Sequence, residues 1–273
     1  MKMTKIAAIL IIAGLVSTGA YIGCAPQSAL NQGSHDQDTV GMTHGETGHA
    51  ADGLREDADS AYGNHENNIS EGDDGLKNDI ASGYLILVNK DQGLERDYKP
   101  DDLTGIKYFA SDRGAEGRYM RVAAADAFHK LVEEAEKNDI IIVMTTAYRS
   151  YDFQAGLYNG YVERDGQAAA DRYSARPGKS EHQTGLAVDV SSPSVGYQLT
   201  LKFADTDEGK WIAEHAHFYG FIIRYPKDKE NITGYQYEPW HLRYVGRAAA
   251  DYIYKNELTL EEFLLSAKIE TED

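Results

Sequence analysis

The chain has a single cysteine, Cys24, so no disulfide can form within it and its fold must be stable without one. Basic residues are scarce beside acidic ones, 27 against 44. The resulting formal net charge of −17 argues against nucleic acid as a partner, because phosphate binding wants a basic surface. Long hydrophobic runs are also missing. The apolar stretch Ile6 to Val16 falls short of the roughly 20 residues that a comfortable transmembrane helix needs. Large apolar residues are nearly absent from Ala25 to Asp79, which excludes a packed core there. What remains, at 42% hydrophobic and 26% charged residues overall, is the composition of an ordinary soluble globular protein with room for one sizeable domain.

Residues 1–23 have the layout of a secretory signal peptide: Lys2 and Lys5 precede the apolar run, and small residues follow it. Tyr21-Ile22-Gly23-Cys24 resembles a bacterial lipobox, with tyrosine where leucine is usual. That resemblance implies acylation of Cys24 as the new N-terminus, a lipid anchor in the membrane and an exported protein on the outer face of the cytoplasmic membrane. An ordinary cleaved leader and an uncleaved anchor are the alternatives. Residues 24–79 read as a disordered acidic tether with a reach of roughly 40 Å. Its histidines, His35, His44, His49 and His65, read as incidental polar residues rather than a zinc site.

The chemistry concentrates in Ser180-Glu181-His182-Gln183-Thr184-Gly185-Leu186-Ala187-Val188-Asp189 and, further on, Glu238-Pro239-Trp240-His241. Two histidines, an aspartate and a spare glutamate match the needs of a catalytic metal: three protein ligands, an open position for water and a carboxylate beside it. Singly, His182 reads as a loop histidine and Glu238 as a solvated charge; together they read as a metallopeptidase site. Gly185 allows a tight turn into the strand Ala-Val-Asp-Val, whose alternation sends Val188 and Val190 to the core and Asp189 to the opposite face.

Ser-x-His-x-x-Gly-x-Ala-x-Asp followed by Glu-Pro-Trp-His-Leu-Arg-Tyr-Val-Gly resembles the VanY-like D-alanyl-D-alanine carboxypeptidases, zinc enzymes that trim peptidoglycan stem peptides. The likeness runs from about Tyr84 to Phe263. It includes Tyr148-Arg149-Ser150 with Gln154, Tyr173 to Gly178 and Phe221 to Pro226, with Thr146-Ala147 where Ser-Gly is more usual. It implies one zinc ion per chain on His182, Asp189 and His241, with Glu238 as catalytic base. It also implies a substrate site lined by Arg149, Gln154 and Ser180, with Arg149 assisting the oxyanion. Read by itself, the Arg149 guanidinium suits a substrate carboxylate as well as it suits a structural ion pair.

The implied fold is α+β: a small antiparallel sheet with helices packed on one side and the zinc site on its open face, similar to hedgehog-type domains. We expect this domain over residues 80–273. Within it, Leu85 to Val88 reads as a short strand, and Phe128, Leu131, Val132 and Ala135 as the buried stripe of a helix between Arg118 and Asn138. Ile140 to Thr146 reads as a buried strand, Asp205 to Gly220 as a helix closed by glycine, and Thr259 with Glu262 as the capping box of a last helix. His215 and His217, two apart on a helix, point in separate directions and read as structural.

The expected function is removal of the C-terminal D-alanine from stem peptides by a monomer. An L,D-carboxypeptidase or endopeptidase on the same fold, and a cell-wall or zinc-binding lipoprotein without turnover, are the alternatives. A serine enzyme acting on the same substrate lacks its residues: no serine is followed by lysine three positions later, and there is no Lys-Thr-Gly.

Overall fold

The computed structural model describes residues 69–110 and 116–271, all within one compact unit. The leader, Cys24 and the four histidines upstream of residue 66 lie outside the described residues. Among the described residues, no helix is long and apolar enough to cross a membrane.

The first described element is helix α1, Ile69–Ala81, which lies inside the segment expected to be tether. Its Asp79 carboxylate accepts the Ala249 N–H at 3.0 Å, so the boundary expected at residue 80 falls within a helix that caps another. Strands β1, Leu103–Gly105, and β2, Tyr119–Arg121, form a two-stranded antiparallel ribbon that leads into helix α2, Val122–Lys137. The expected stripe on α2 is buried: Phe128, Leu131, Val132 and Ala135 all face the core.

The central sheet is antiparallel, in the order β3 (Val143–Thr146), β4 (Ala187–Ser191), β6 (His241–Tyr244), β5 (Phe221–Ile223). The helices α3 (Tyr151–Asp165) and α4 (Gln167–Tyr173) follow β3, and α5 (Asp207–His215) precedes β5. A short α6, Glu230–Thr233, leads toward β6, and α7 (Arg247–Lys255) and α8 (Leu260–Thr271) close the chain. Because side chains alternate along a strand, Val188 and Val190 of β4, Leu242 of β6 and Phe221 of β5 share one face, where they meet the α2 stripe together with Trp211 and Ile212 of α5. A smaller cluster joins Ile222 to Val245, Ala249 and Ile253 of α7 and to Leu260 and Phe263 of α8.

Leu85 to Val88 is not a strand, contrary to expectation. Leu85 and Val88 are buried as their apolarity demands, yet the Tyr84 and Ile86 carbonyls accept the Arg243 guanidinium at 2.7 Å rather than a neighbouring strand. A side chain satisfies the backbone there, so no ladder is needed. The strand expected from Ile140 begins only at Val143. The helix expected from Asp205 to Gly220 is α5 followed by a 3-10 turn over Ala216–Tyr219, with Gly220 in the left-handed conformation ending it. At the other end of the chain the capping box is present: Thr259 Oγ1 accepts the Glu262 N–H at 3.2 Å and the Glu262 carboxylate accepts the Thr259 N–H at 2.8 Å.

Candidate metal centre

Register builds the centre. Asp189 of β4 stands directly opposite His241 of β6, and odd-numbered residues of β4 face away from the α2 core. The two side chains therefore meet on the second face, with His241 Nδ1 2.9 Å from Asp189 Oδ1. His182 arrives from a 3-10 turn, Glu181–Thr184, closed by Gly185 at φ +69°. Its positive φ favours glycine whatever the space, and a Cβ there would also push on Leu103 Cδ2, 2.8 Å away. The reversal carries His182 Nε2 to 3.3 Å from Asp189 Oδ2, and the rings of His182 and His241 meet edge to face at 4.9 Å.

His182, Asp189 and His241 each offer one ligand atom, all within 4.8 Å of one another, and all three residues are buried. Two ligands of a tetrahedral ion at about 2.0–2.1 Å stand about 3.4 Å apart, close to the His182–Asp189 separation. His182 Nδ1 pairs with the Ala147 carbonyl at 2.6 Å, and a proton there leaves Nε2 bare; that nitrogen has no hydrogen-bond partner. A buried lone pair without a donor is what a metal would satisfy. The residues thus fit a divalent ion with an open fourth position.

Glu238 and Arg149 complete the arrangement. Glu238 is held by its N–H on the Tyr225 carbonyl, and its carboxylate lies 3.9 Å from His241 Nδ1. Burial, offset in part by His241, pushes its pKa up to about 7, the range that suits a proton carrier. Asp189 behaves oppositely: burial works against its charge, but His182 and His241 outweigh that and hold it well below the usual carboxylate range. For His182, burial and then the nearby Arg149 charge lower the pKa to about 4.

Arg149 follows β3 directly, its N–H bonded to the His182 carbonyl. Its guanidinium donates to Gln154 Oε1 at 3.0 Å and stands 3.8 Å from Asp189 Oδ2. Gln154, in the first turn of α3, donates in turn to the Ala175 carbonyl at 2.7 Å. Ser180 is buried at the entry to the 3-10 turn. Of the sequence-predicted site residues, His182, Asp189, His241, Glu238, Arg149 and Gln154 are thus linked to one another, and Ser180 precedes the turn that carries His182. His215 and His217 stand apart from it, stacked on Trp211 at 4.5 Å and Tyr254 at 3.8 Å.

Sequence reading missed the groups behind His241. Its Nε2 faces Glu181 Oε2 at 3.5 Å, which favours the proton on that nitrogen and leaves Nδ1 turned to the centre. Glu181 has no solvent contact; the charges of Arg224 and Arg243 overcome its burial and hold it ionised. Arg224 also grips Glu261 through two nitrogens, at 2.9 and 2.7 Å. One signal was there to read: in His-Leu-Arg, Arg243 falls two residues after His241, on the same face of the strand.

The fold and the centre are those of a metal-dependent hydrolase, with a buried carboxylate, Glu238, beside the candidate metal ligands. Residues 117–247 match the VanY family, described as D-alanyl-D-alanine carboxypeptidase. The chain is 46% identical to the putative carboxypeptidase YodJ of Bacillus subtilis over 185 residues, which are 67% of this chain and 68% of the relative. The LdcB LD-carboxypeptidase structure is 47% identical, covering 66% of this chain and 85% of LdcB with a TM-score of 0.64. A mutant of the vancomycin-resistance D,D-pentapeptidase VanY in complex with Zn(II) is 30% identical, covering 66% of this chain and 98% of that one with a TM-score of 0.54. The chain belongs to the VanY family of carboxypeptidases.

Proposed function

We propose that this protein is a zinc carboxypeptidase that removes the C-terminal D-alanine from peptidoglycan stem peptides. One observation carries the reading: a buried His182–Asp189–His241 trio with a bare Nε2, and with Glu238 and Arg149 both within 4 Å of its members. Zinc on these three residues supplies a Lewis acid and a water whose pKa falls from 15.7 to roughly 7.

The chain's own residues do the rest. Glu238 takes the proton of the attacking water and hands it to the departing amine. Arg149 offers its planar fork to the terminal carboxylate, and Gln154 holds that fork in place. Ser180 lines the same site. The oxyanion formed at the scissile carbonyl lies within the positive field of the centre, to which Arg149 adds.

A second reading concerns the bond cut. Identity to the LdcB LD-carboxypeptidase, 47%, exceeds that to the D,D-pentapeptidase VanY, 30%, which favours L,D cleavage of tetrapeptide stems over D,D cleavage of pentapeptides. The test is mass spectrometry of penta- and tetrapeptide stems incubated with the zinc-loaded protein. Loss of one alanine from the pentapeptide alone supports D,D cleavage; loss from the tetrapeptide supports L,D. No loss from either sinks both.

Lys2, Lys5, the run Ile6 to Val16 and Cys24 support export and lipid anchoring at the outer face of the membrane. A fatty-acid probe fed to the cells is expected to label the wild-type chain and not a Cys24→Ser variant; absence of label from both argues for an ordinary leader or an uncleaved anchor.

A further inference from the structure

Beside Gln154 lies a cavity of about 300 Å³ walled by Lys90, Asp171, Ser174, Arg176, Lys179 and Tyr235. Its charges do not cancel. Asp171 is taken up by Arg176, which grips it at 2.8 and 2.7 Å, and by the Tyr158 hydroxyl at 2.7 Å. The hydrogen bonds of Lys90 and Lys179 go to main-chain carbonyls, those of Asp171 at 3.1 Å and Asp91 at 2.8 Å. A carbonyl uses one of an ammonium's three protons and none of its charge. Two positive charges thus remain without a carboxylate at this cavity, in a chain whose net charge is −17.

A second observation concerns Tyr235. It is buried, at 4% exposure, and its hydroxyl has no hydrogen-bond partner, whereas buried hydroxyls ordinarily find one. The Lys90 ammonium sits 4.7 Å above the same ring. The cavity is tied to the metal centre through one side chain: Gln154 donates to Ser174 Oγ at 3.4 Å on the cavity wall and accepts from Arg149 at 3.0 Å on the other side. A peptide whose end is held by Arg149 therefore has this cavity within reach of another residue.

We propose that the cavity is a subsite for a second carboxylate of the substrate, borne by a residue upstream of the C-terminal one and held by Lys90, Lys179 and the Tyr235 hydroxyl. The assignment rests on the carboxypeptidase reading. It makes the enzyme selective for stems whose side carboxylate is free over stems in which it is amidated.

Calorimetry tests it on the full chain carrying Glu238→Gln, loaded with zinc, with three synthetic stem peptides: unmodified, amidated at the side carboxylate, and amidated at the C-terminus. Side amidation is expected to weaken binding about tenfold. With Lys90→Met and Lys179→Met added, which keep the aliphatic stems, that penalty is expected to shrink to twofold or less, while the penalty for C-terminal amidation stays. Lys90→Arg with Lys179→Arg is expected to restore the discrimination. Equal binding of the free and side-amidated peptides overturns the subsite, and so does a methionine variant that still discriminates. A methionine variant that loses only its response to C-terminal amidation overturns it as well, because the cavity then holds the terminal carboxylate. Turnover by the unmutated chain is read separately. Tenfold discrimination in binding with no residue released from any stem keeps the subsite and removes the carboxypeptidase reading.

Discussion

The two faces of the central sheet are built from the same strands and hold together by opposite means. On one face Val188, Val190, Phe221 and Leu242 bury against α2 and α5, and any well-fitting apolar set would serve. On the other, Asp189, His241 and Arg243 are buried just as deeply, each beside named partners. The contrast shows where tolerance ends. An apolar contact degrades by degrees when trimmed, whereas a buried charge that loses its partner leaves the survivor uncompensated.

The largest break expected is in activity alone. Glu238→Gln should lower kcat by about 10²–10⁴-fold while zinc still binds at one per chain. Denaturation of this variant should show stability unchanged or raised, since an amide replaces a carboxyl that burial already disfavours as an anion. Full activity would remove Glu238 from the base role.

Next comes the charged layer behind the centre. Glu181→Gln takes the counter-charge from Arg224 and Arg243 and puts a neutral amide in place of the carboxylate that faces His241 Nε2. Zinc affinity, read by competition with a chelator, should fall about 10–100-fold. Stability should fall by about 3–5 kcal/mol, as when one partner of a buried pair is removed. A stability loss with unchanged zinc affinity would separate Glu181 from the metal centre.

The apolar face should respond in stability only. Leu242→Ala, which lies between His241 and Arg243 but points the other way, should cost about 2–5 kcal/mol with kcat within about twofold of normal. A large loss of turnover would mean that the two faces are not independent.

The smallest effect is a pH dependence on the helical side. Burial lowers the pKa of His217 to about 4, with Asp251 at 4.0 Å opposing the shift and Lys255, His215 and Arg247 adding to it. The unfolded chain binds this proton near pH 6.5 and the folded one only near 4, so stability is lost as pH falls between those values. His217→Phe, which keeps the stack on Tyr254, should remove up to about 2 kcal/mol of the difference in unfolding free energy between pH 7.5 and 5. An unchanged difference would place the acid sensitivity elsewhere.

Much of the centre was legible because its signals are local. His182, Gly185 and Asp189 lie on one turn and one strand, Glu238 and His241 on the next, and period-two alternation sends Asp189 away from the valines. The α2 stripe and the Thr259–Glu262 box are likewise short-range patterns. Leu85 to Val88 misled because apolarity reports burial and not pairing: the carbonyls there bond a side chain more than 150 residues away. Glu181 lies within its motif, yet its weight comes from Arg224 and Arg243, the first of them also held by Glu261, and chain distance hides all three.

By itself the sequence determined the chemistry on offer: two histidines, two carboxylates and a guanidinium, at spacings that a turn and a strand can use. Tertiary structure alone decided which nitrogen of each histidine is turned to the centre, because that choice belongs to the groups behind the rings, the Ala147 carbonyl for His182 and Glu181 for His241. It alone also drew Lys90, Lys179 and Tyr235 around one cavity. Spacing along a chain dictates local geometry through a few backbone torsions. The partners of a buried charge are settled only when distant segments are packed against it, and its energy depends on all of them at once.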